Sequence, residues 1–307
     1  MSNKNGAKVI RFDWAIKNIL RDKANFDILE GFLTALLEED IQVLGLLDTE
    51  SNQDTEQLKY NRVDILIQDS EERHIIVEVQ NERESDYLYR LLFGTSKVII
   101  DTLELGQPYR EIAKVISISI LYFNLGSGDD YVYYGKTSFQ GIHTKQPLML
   151  RRKKIIEDKK YILRQVSIEK EIFPEYYLIQ VERFEDKVNV PLDEWIYMLK
   201  HDVVRDDFNA KNIDKAREKL LVLNMDQEKR RQYEKYLMNV ASERDIMETA
   251  REEGHKEGHK EGRKEGHKDS ARQMLADGLP LESIAKYTTL SVEDIMAIDN
   301  EGKSSVK

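Results

Sequence analysis

Apolar residues recur at helical spacing from the start of the chain. Trp14, Ile16, Ile19 and Leu20, then Leu29, Phe32, Leu33, Leu36 and Leu37, predict helix over 12–47. The period then changes to two. Val63, Ile65 and Ile67 alternate with Asp64, Leu66 and Gln68, and Ile75, Val77 and Val79 alternate with Ile76, Glu78 and Gln80. Two strands joined by a polar turn near Glu71 are the expectation. The stretch "DYLYRLLFGTSKVII", residues 86–100, predicts a helix with Leu88, Leu91, Leu92 and Phe93 on its buried side. "VISISILYF", residues 115–123, ends at the loop "NLGSGDD" and has the composition of a buried central strand; "YYLIQVERF", residues 176–184, predicts another. A helix–strand–strand–helix–strand order predicts an α/β fold, with a mixed central sheet flanked by helices.

This domain is expected to span 1–190. After Pro191, a proline suited to a helix's first turn, the pattern becomes all-helical, giving a helical extension over 191–250. Residues 251–269 carry "EEGHKEGHKEGRKEGHKD", with Gly254, Gly258, Gly262 and Gly266 at every fourth position. Each glycine costs a helix about 1 kcal/mol relative to Ala, while each Glu–Lys pair returns only about 0.2–0.5 kcal/mol. Taken alone the repeat is expected to fray as a charged linker; the alternative is a glycine ridge for close helix contact in a homo-oligomer. His255, His259 and His267 are accounted for by a solvated repeat without a metal. The tail, 270–307, has the signature of a small helical hairpin, with Gly278 at a C-cap position and Ser291 with Asp294 as a capping box.

Composition narrows the chemistry. With 47 Lys+Arg against 57 Asp+Glu the formal charge is −10, so any nucleic-acid contact must come from a local basic patch. Residues 145–170 hold such an excess, nine basic against three acidic residues, including Arg151, Arg152, Lys153 and Lys154. The tail holds seven acids and four bases over 269–307, a poor footprint for phosphate. There is no cysteine, which excludes disulfides and thiolate metal sites. No apolar run approaches the roughly 20 residues of a membrane span, and the polar start lacks a signal-peptide pattern, so a cytoplasmic protein is expected. "GSG" at 126–128 lacks the context of a dinucleotide loop and is taken as a turn.

The hairpin raises the chemical question. With its turn near Glu71, Asp64 and Glu78 come directly opposite each other, where like charges are destabilising. Two carboxylates converging on one point suit a divalent cation, since magnesium accepts one or two carboxylates plus waters and substrate phosphate. The spacing alone is more simply met by two exposed acids on the wet face of an edge hairpin.

Together, "FDWAIKNIL", the Asp64/Glu78-x-Gln80 hairpin, "YLYRLLFGTSKVII…LGQPYREIAKVISISILYF" and "YYLIQVERF…VPLDEWIYMLK" resemble the Rpn family of recombination-promoting, transposase-like nucleases within the PD-(D/E)XK superfamily. The resemblance covers roughly 11–266. It implies Mg²⁺- or Mn²⁺-dependent DNA endonuclease activity in recombination, with DNA as partner and Asp64 and Glu78 as metal ligands. Gln80 falls where the superfamily usually has Lys; it would orient water through neutral hydrogen bonds. That departure also admits a catalytically weak DNA-binding or oligomeric relative. Asp13 and Lys17 on the first helix, and Arg90 after Gln80, are accessory candidates, and the Arg151–Lys154 cluster is the candidate phosphate contact.

Overall fold

The structure, a computed structural model, describes residues 6–47, 63–103, 106–156, 160–167 and 172–304, without side chains at 150–171, 223 and 301–304. It divides into two compact units, Met1–Asp226 and Gln227–Lys307. In chain order the first unit contains β1 (Gly6–Lys8), α1 (Phe12–Asn18), α2 (Phe26–Leu37), β2 (Val43–Leu46), β3 (Ile65–Asp69), β4 (His74–Gln80) and α3 (Tyr87–Asp101). It continues through β5 (Val115–Leu121), β6 (Val132–Lys136), β7 (Met149–Ile156), β8 (Lys160–Ser167), β9 (Glu175–Gln180), α4 (Pro191–His201), β10 (Val203–Arg205) and α5 (Ile213–Lys219).

Six strands form one mixed sheet in the order β2-β3-β4-β5-β9-β6. The β2–β3, β3–β4 and β9–β6 pairs are antiparallel, and β5 lies parallel to both β4 and β9. That central place explains its composition, since all seven residues of β5 are buried. The parallel β4–β5 pair needs a crossover, which α3 supplies. On the α3 side of the sheet, Val63, Leu66, Ile76, Val98 and Val115 form one apolar cluster. Elsewhere in the unit the rings of Phe12 and Phe32 pack in a tilted contact at 5.9 Å and those of Phe32 and Trp195 edge to face at 6.1 Å, joining α1, α2 and α4. Gly31 makes that approach feasible. A Cβ there would meet the Lys211 carbonyl and would lie 2.7 Å from the Trp195 ring.

Several expectations need correction. Helix does not continue to residue 47: α2 ends at Glu38, which adopts a left-handed φ of 55°. Val43–Leu46 then forms an edge strand, entered where the Val43 N–H donates to Glu30 at 2.9 Å. The chain after Pro191 is not purely helical either, because Val203–Arg205 pairs antiparallel with Gly6–Lys8. Along α3 only Leu91 of the four predicted buried residues is buried; Leu88, Leu92 and Phe93 are more than half exposed. The buried side runs instead through Tyr87, Leu91, Thr95 and Val98.

The second unit begins with α6 (Gln227–Ala276), which carries the glycine repeat without a break. Helix-forming sequence on both sides removes the need for fresh nucleation within the repeat, and pairs such as Lys256 with Glu252 at 3.5 Å add support. α6 ends in a Schellman motif: Gly278 has φ 77°, and the Leu279 N–H donates to the Met274 carbonyl at 3.0 Å. With α7 (Leu281–Thr288) and α8 (Val292–Ser304), the end of α6 closes a small core of Ala271, Ile284, Ile295 and Ile298. The capping box forms as expected, with the Asp294 N–H donating to Ser291 Oγ at 3.1 Å.

Asp202 offers a stability test of this fold. It closes α4 in a left-handed conformation, φ 54°, and burial pushes its carboxyl from 3.8 to about 6 against the attraction of Arg11. A raised folded pKa means that the folded state retains a proton the unfolded chain releases. Stability therefore falls as pH rises from about 4 to 6 and stays reduced above that. Asn tolerates the same backbone. Asp202→Asn is expected to gain about 1–3 kcal/mol at pH 7.5 and nothing near pH 3.5, read from urea unfolding at both pH values.

Candidate active site

The β3–β4 register sets the geometry. Ile65 pairs with Val77, so one step further Asp64 comes level with Glu78, as the turn position predicts. Asp64 is fixed from several directions. Its Oδ2 accepts from the Val79 N–H at 2.8 Å, and its carbonyl accepts from Arg21 at 2.9 Å. Its Oδ1 lies 3.5 Å from Lys17 Nζ. The Asp64 and Glu78 side chains retain only 14% and 17% exposure, so both negative groups are largely withdrawn from water. Burial pushes the Glu78 carboxyl up; Arg90 opposes this, while Asp64 and Glu84 add to it.

Arg90 organises the rest. Its Nη2 donates to Glu78 at 3.1 Å and to Gln80 Oε1 at 2.9 Å, and its Nη1 donates to Glu84 at 2.7 Å. Gln80 Nε2 also donates to Glu84, at 2.8 Å. Both ends of the Gln80 amide are therefore engaged. The guanidinium lies over the Tyr87 ring, 5.4 Å from its centroid. The Tyr87 hydroxyl, whose pKa burial drives far upward, sits beside Ser119, the residue that pairs with Glu78 across β4 and β5. Neither hydroxyl completes a hydrogen bond among the described residues, and neither does Arg90 Nε. A small crevice next to Glu78 and Arg90 is lined also by Val63, Leu91, Thr95 and Ser117.

Thus Lys17, Asp64, Glu78, Gln80 and Arg90 come together. Asp13 stands apart in role. It is 2% exposed and accepts from Arg11 at 2.9 Å, from Asn81 at 2.9 Å and from the Trp14 N–H at 2.8 Å. It fastens α1 to the residue after β4, and so holds Lys17 near the carboxylates. Arg151, Arg152, Lys153 and Lys154 lie on β7, which pairs with β8 in a separate two-stranded ribbon. Their side chains are outside the described residues, as are 157–159 and 168–170 of the basic region. Glu84, Asn81 and Tyr87 escape a sequence reading, because polar residues in a strand-to-helix turn and an aromatic on a helix carry no periodic signal. Among the described residues no group of three or more His, Cys, Asp or Glu is placed to hold a metal ion. Also among them, no helix is long and apolar enough to cross a membrane.

Residues 10–250 match the family model described as PD-(D/E)XK nuclease family transposase. The chain belongs to that family, which defines a nuclease-type protein related to transposition. The comparisons with curated proteins and with solved structures gave no match.

Proposed function

We propose that this chain is a divalent-metal-dependent DNA endonuclease acting in recombination, with Asp64 and Glu78 as the metal-binding acids. The observation that carries this reading is their convergence. Two carboxylates stand level across a hairpin in a half-buried place, with Glu78 pushed toward its neutral form. All-oxygen donors of this kind fit Mg²⁺ or Mn²⁺, which need few protein ligands beside water and phosphate. When bound, such an ion lowers the pKa of water and offsets charge on the phosphoryl oxygens.

The chain's own residues supply the remainder. Asp64 is held by the Val79 N–H, so one of its oxygens is fixed and the other faces Lys17. Lys17, about half exposed and 3.5 Å from Asp64, is a cation placed to approach a scissile phosphate or the attacking water. Arg90 balances the charge of Glu78 and Glu84, and Gln80 keeps Arg90 and Glu84 in position. The basic β7 segment, Arg151 to Lys154, contributes phosphate contacts.

Incubating supercoiled plasmid with the full chain and Mg²⁺, Mn²⁺ or EDTA tests the reading. Nicking in either metal and none in EDTA is expected. Salt-dependent binding without cleavage would favour a catalytically weak DNA-binding relative instead. Lys17→Met is expected to lower cleavage on the order of 10²-fold, and Gln80→Lys in the same chain to recover part of it by returning an ammonium near Glu78. Equal rates in wild type and Lys17→Met would remove Lys17 from the site.

A further inference from the structure

β7 and β8 pair with each other and, among the described residues, with no third strand. Their antiparallel register runs unbroken from Met149 with Ser167 to Ile156 with Lys160. The two strands hold six bases, Arg151, Arg152, Lys153, Lys154, Lys160 and Arg164, and no acid, in a chain whose formal charge is −10. Alternation along each strand divides these bases unequally. Arg152, Lys154, Lys160 and Arg164 fall on one face of the ribbon, and Arg151 and Lys153 on the other. On the richer face Arg152 is the direct register partner of Arg164, whereas Arg151 pairs with Gln165 and Lys153 with Leu163. Like charges directly opposite across an antiparallel pair are destabilising, and a two-stranded ribbon is at best marginally stable by itself. A sequence selected for stability alone would set an acid against one of the two arginines. A face that concentrates four cations in an acidic chain is suited instead to a polyanion.

We propose that this ribbon enters the major groove of duplex DNA with its four-cation face toward the bases, and that Arg152 and Arg164 read guanine there. The proposal rests on the reading of DNA as the substrate and adds how the duplex is held. Dimensions select the groove. Two strands about 4.8 Å apart, with their side chains, match a major groove about 12 Å wide, which admits a two-stranded ribbon; the minor groove is only about 6 Å wide. Eight residues per strand at about 3.3 Å each span about 26 Å, the length of roughly eight base pairs. Arg152 is fourth along β7 and Arg164 fifth along β8, so the pair crosses the ribbon at its middle. The planar fork of arginine matches O6 and N7 of guanine, the commonest specific contact in that groove. Lys154 and Lys160, nearer the other end of the register, are point charges suited to phosphate. Arg151 and Lys153, on the opposite face, are left for flanking phosphates, which position the duplex without reading it. An RNA duplex does not offer the same fit, because its A-form major groove is deep and narrow.

Anisotropy and dimethyl sulfate footprinting with the full chain, both in EDTA, test the proposal. Wild type is expected to protect guanine N7 in a short DNA duplex and to bind duplex RNA of the same sequence at least about 10-fold less tightly. Arg152→Ala with Arg164→Ala should abolish the N7 protection and reduce the preference for G·C-rich over A·T-rich duplexes by about 10-fold or more. Loss of two opposed like charges relieves repulsion, so circular dichroism should be unchanged; the wild-type footprint is decisive even without the variant. Arg151→Ala with Lys153→Ala removes the same charge. It should weaken both duplexes alike, flatten the salt dependence by about 1.8 and keep the N7 protection. Wild-type binding without N7 protection, equal affinity for duplex RNA, or equal effects of the two double substitutions each overturns the proposal. A chain that protects N7 but never nicks plasmid in Mg²⁺ or Mn²⁺ keeps the ribbon's role and ends the metal-dependent reading. Nicking without N7 protection does the reverse.

Discussion

Glu78→Gln and Asp64→Asn should each remove plasmid cleavage, by more than about 10²-fold, while leaving the fold at least as stable as wild type near pH 7.5. The size follows from the role proposed: altering groups that merely orient a metal's ligands costs about 10–100-fold, and a ligand itself costs more. The stability half follows from the electrostatics. Burial raises the Glu78 carboxyl, so its ionised form opposes folding at neutral pH, an opposition that begins above the ordinary glutamate range. A neutral amide removes that opposition and can still accept from Arg90. Calorimetric Mn²⁺ titration should show weakened binding in both variants. Loss of cleavage with unchanged Mn²⁺ affinity would mean that the pair serves something other than a metal.

Arg90→Ala should show the reverse balance, a large loss of stability in addition to any loss of activity. The guanidinium bonds to Glu78, Gln80 and Glu84 together. Removing one partner of a fully buried ion pair costs about 3–5 kcal/mol; Arg90 retains 26% exposure and Glu84 39%, so water recovers part of this. A loss of about 1–3 kcal/mol at pH 7.5 is expected. Arg90 is what restrains the Glu78 carboxyl, so without it the folded pKa rises further. The deficit should accordingly grow as pH rises above the glutamate range and shrink toward pH 4. Combining Arg90→Ala with Glu78→Gln should restore part of the stability, and denaturant unfolding of the four proteins in a double-mutant cycle measures how much. Strictly additive losses would show that the two groups are not coupled.

The hairpin was the most legible element because its pattern is self-contained. Period-2 alternation on both strands and a polar turn near Glu71 define one antiparallel register, and that register puts Asp64 level with Glu78. β5 was readable for a similar reason: a short continuous apolar run between turn signals suits a strand paired on both edges. Elsewhere local pattern was insufficient. Leu88, Leu92 and Phe93 share helical spacing with Leu91, and nothing local says which of two apolar faces the sheet will cover. Arg90 could be named as a candidate, but its bond to Glu84 depends on a turn whose path is set by α3 docking on β5. The glycine repeat shows a further limit: propensity summed over the repeat alone omits the helices at either end that carry it.

The order of strands has a consequence for synthesis. β9 fills the slot between β5 and β6, and β6 reaches the sheet only through β9. A ribosome therefore produces β5 and β6 first, then the β7–β8 ribbon, and only afterwards the strand that joins them. At about 5–20 residues per second the wait lasts several seconds. Throughout it, the seven-residue apolar β5 presents an unpaired edge, a template for any other strand in reach. A nascent chain stalled before Glu175 keeps that edge open indefinitely, so the interval before β9 emerges is when pairing with a wrong strand is most favoured.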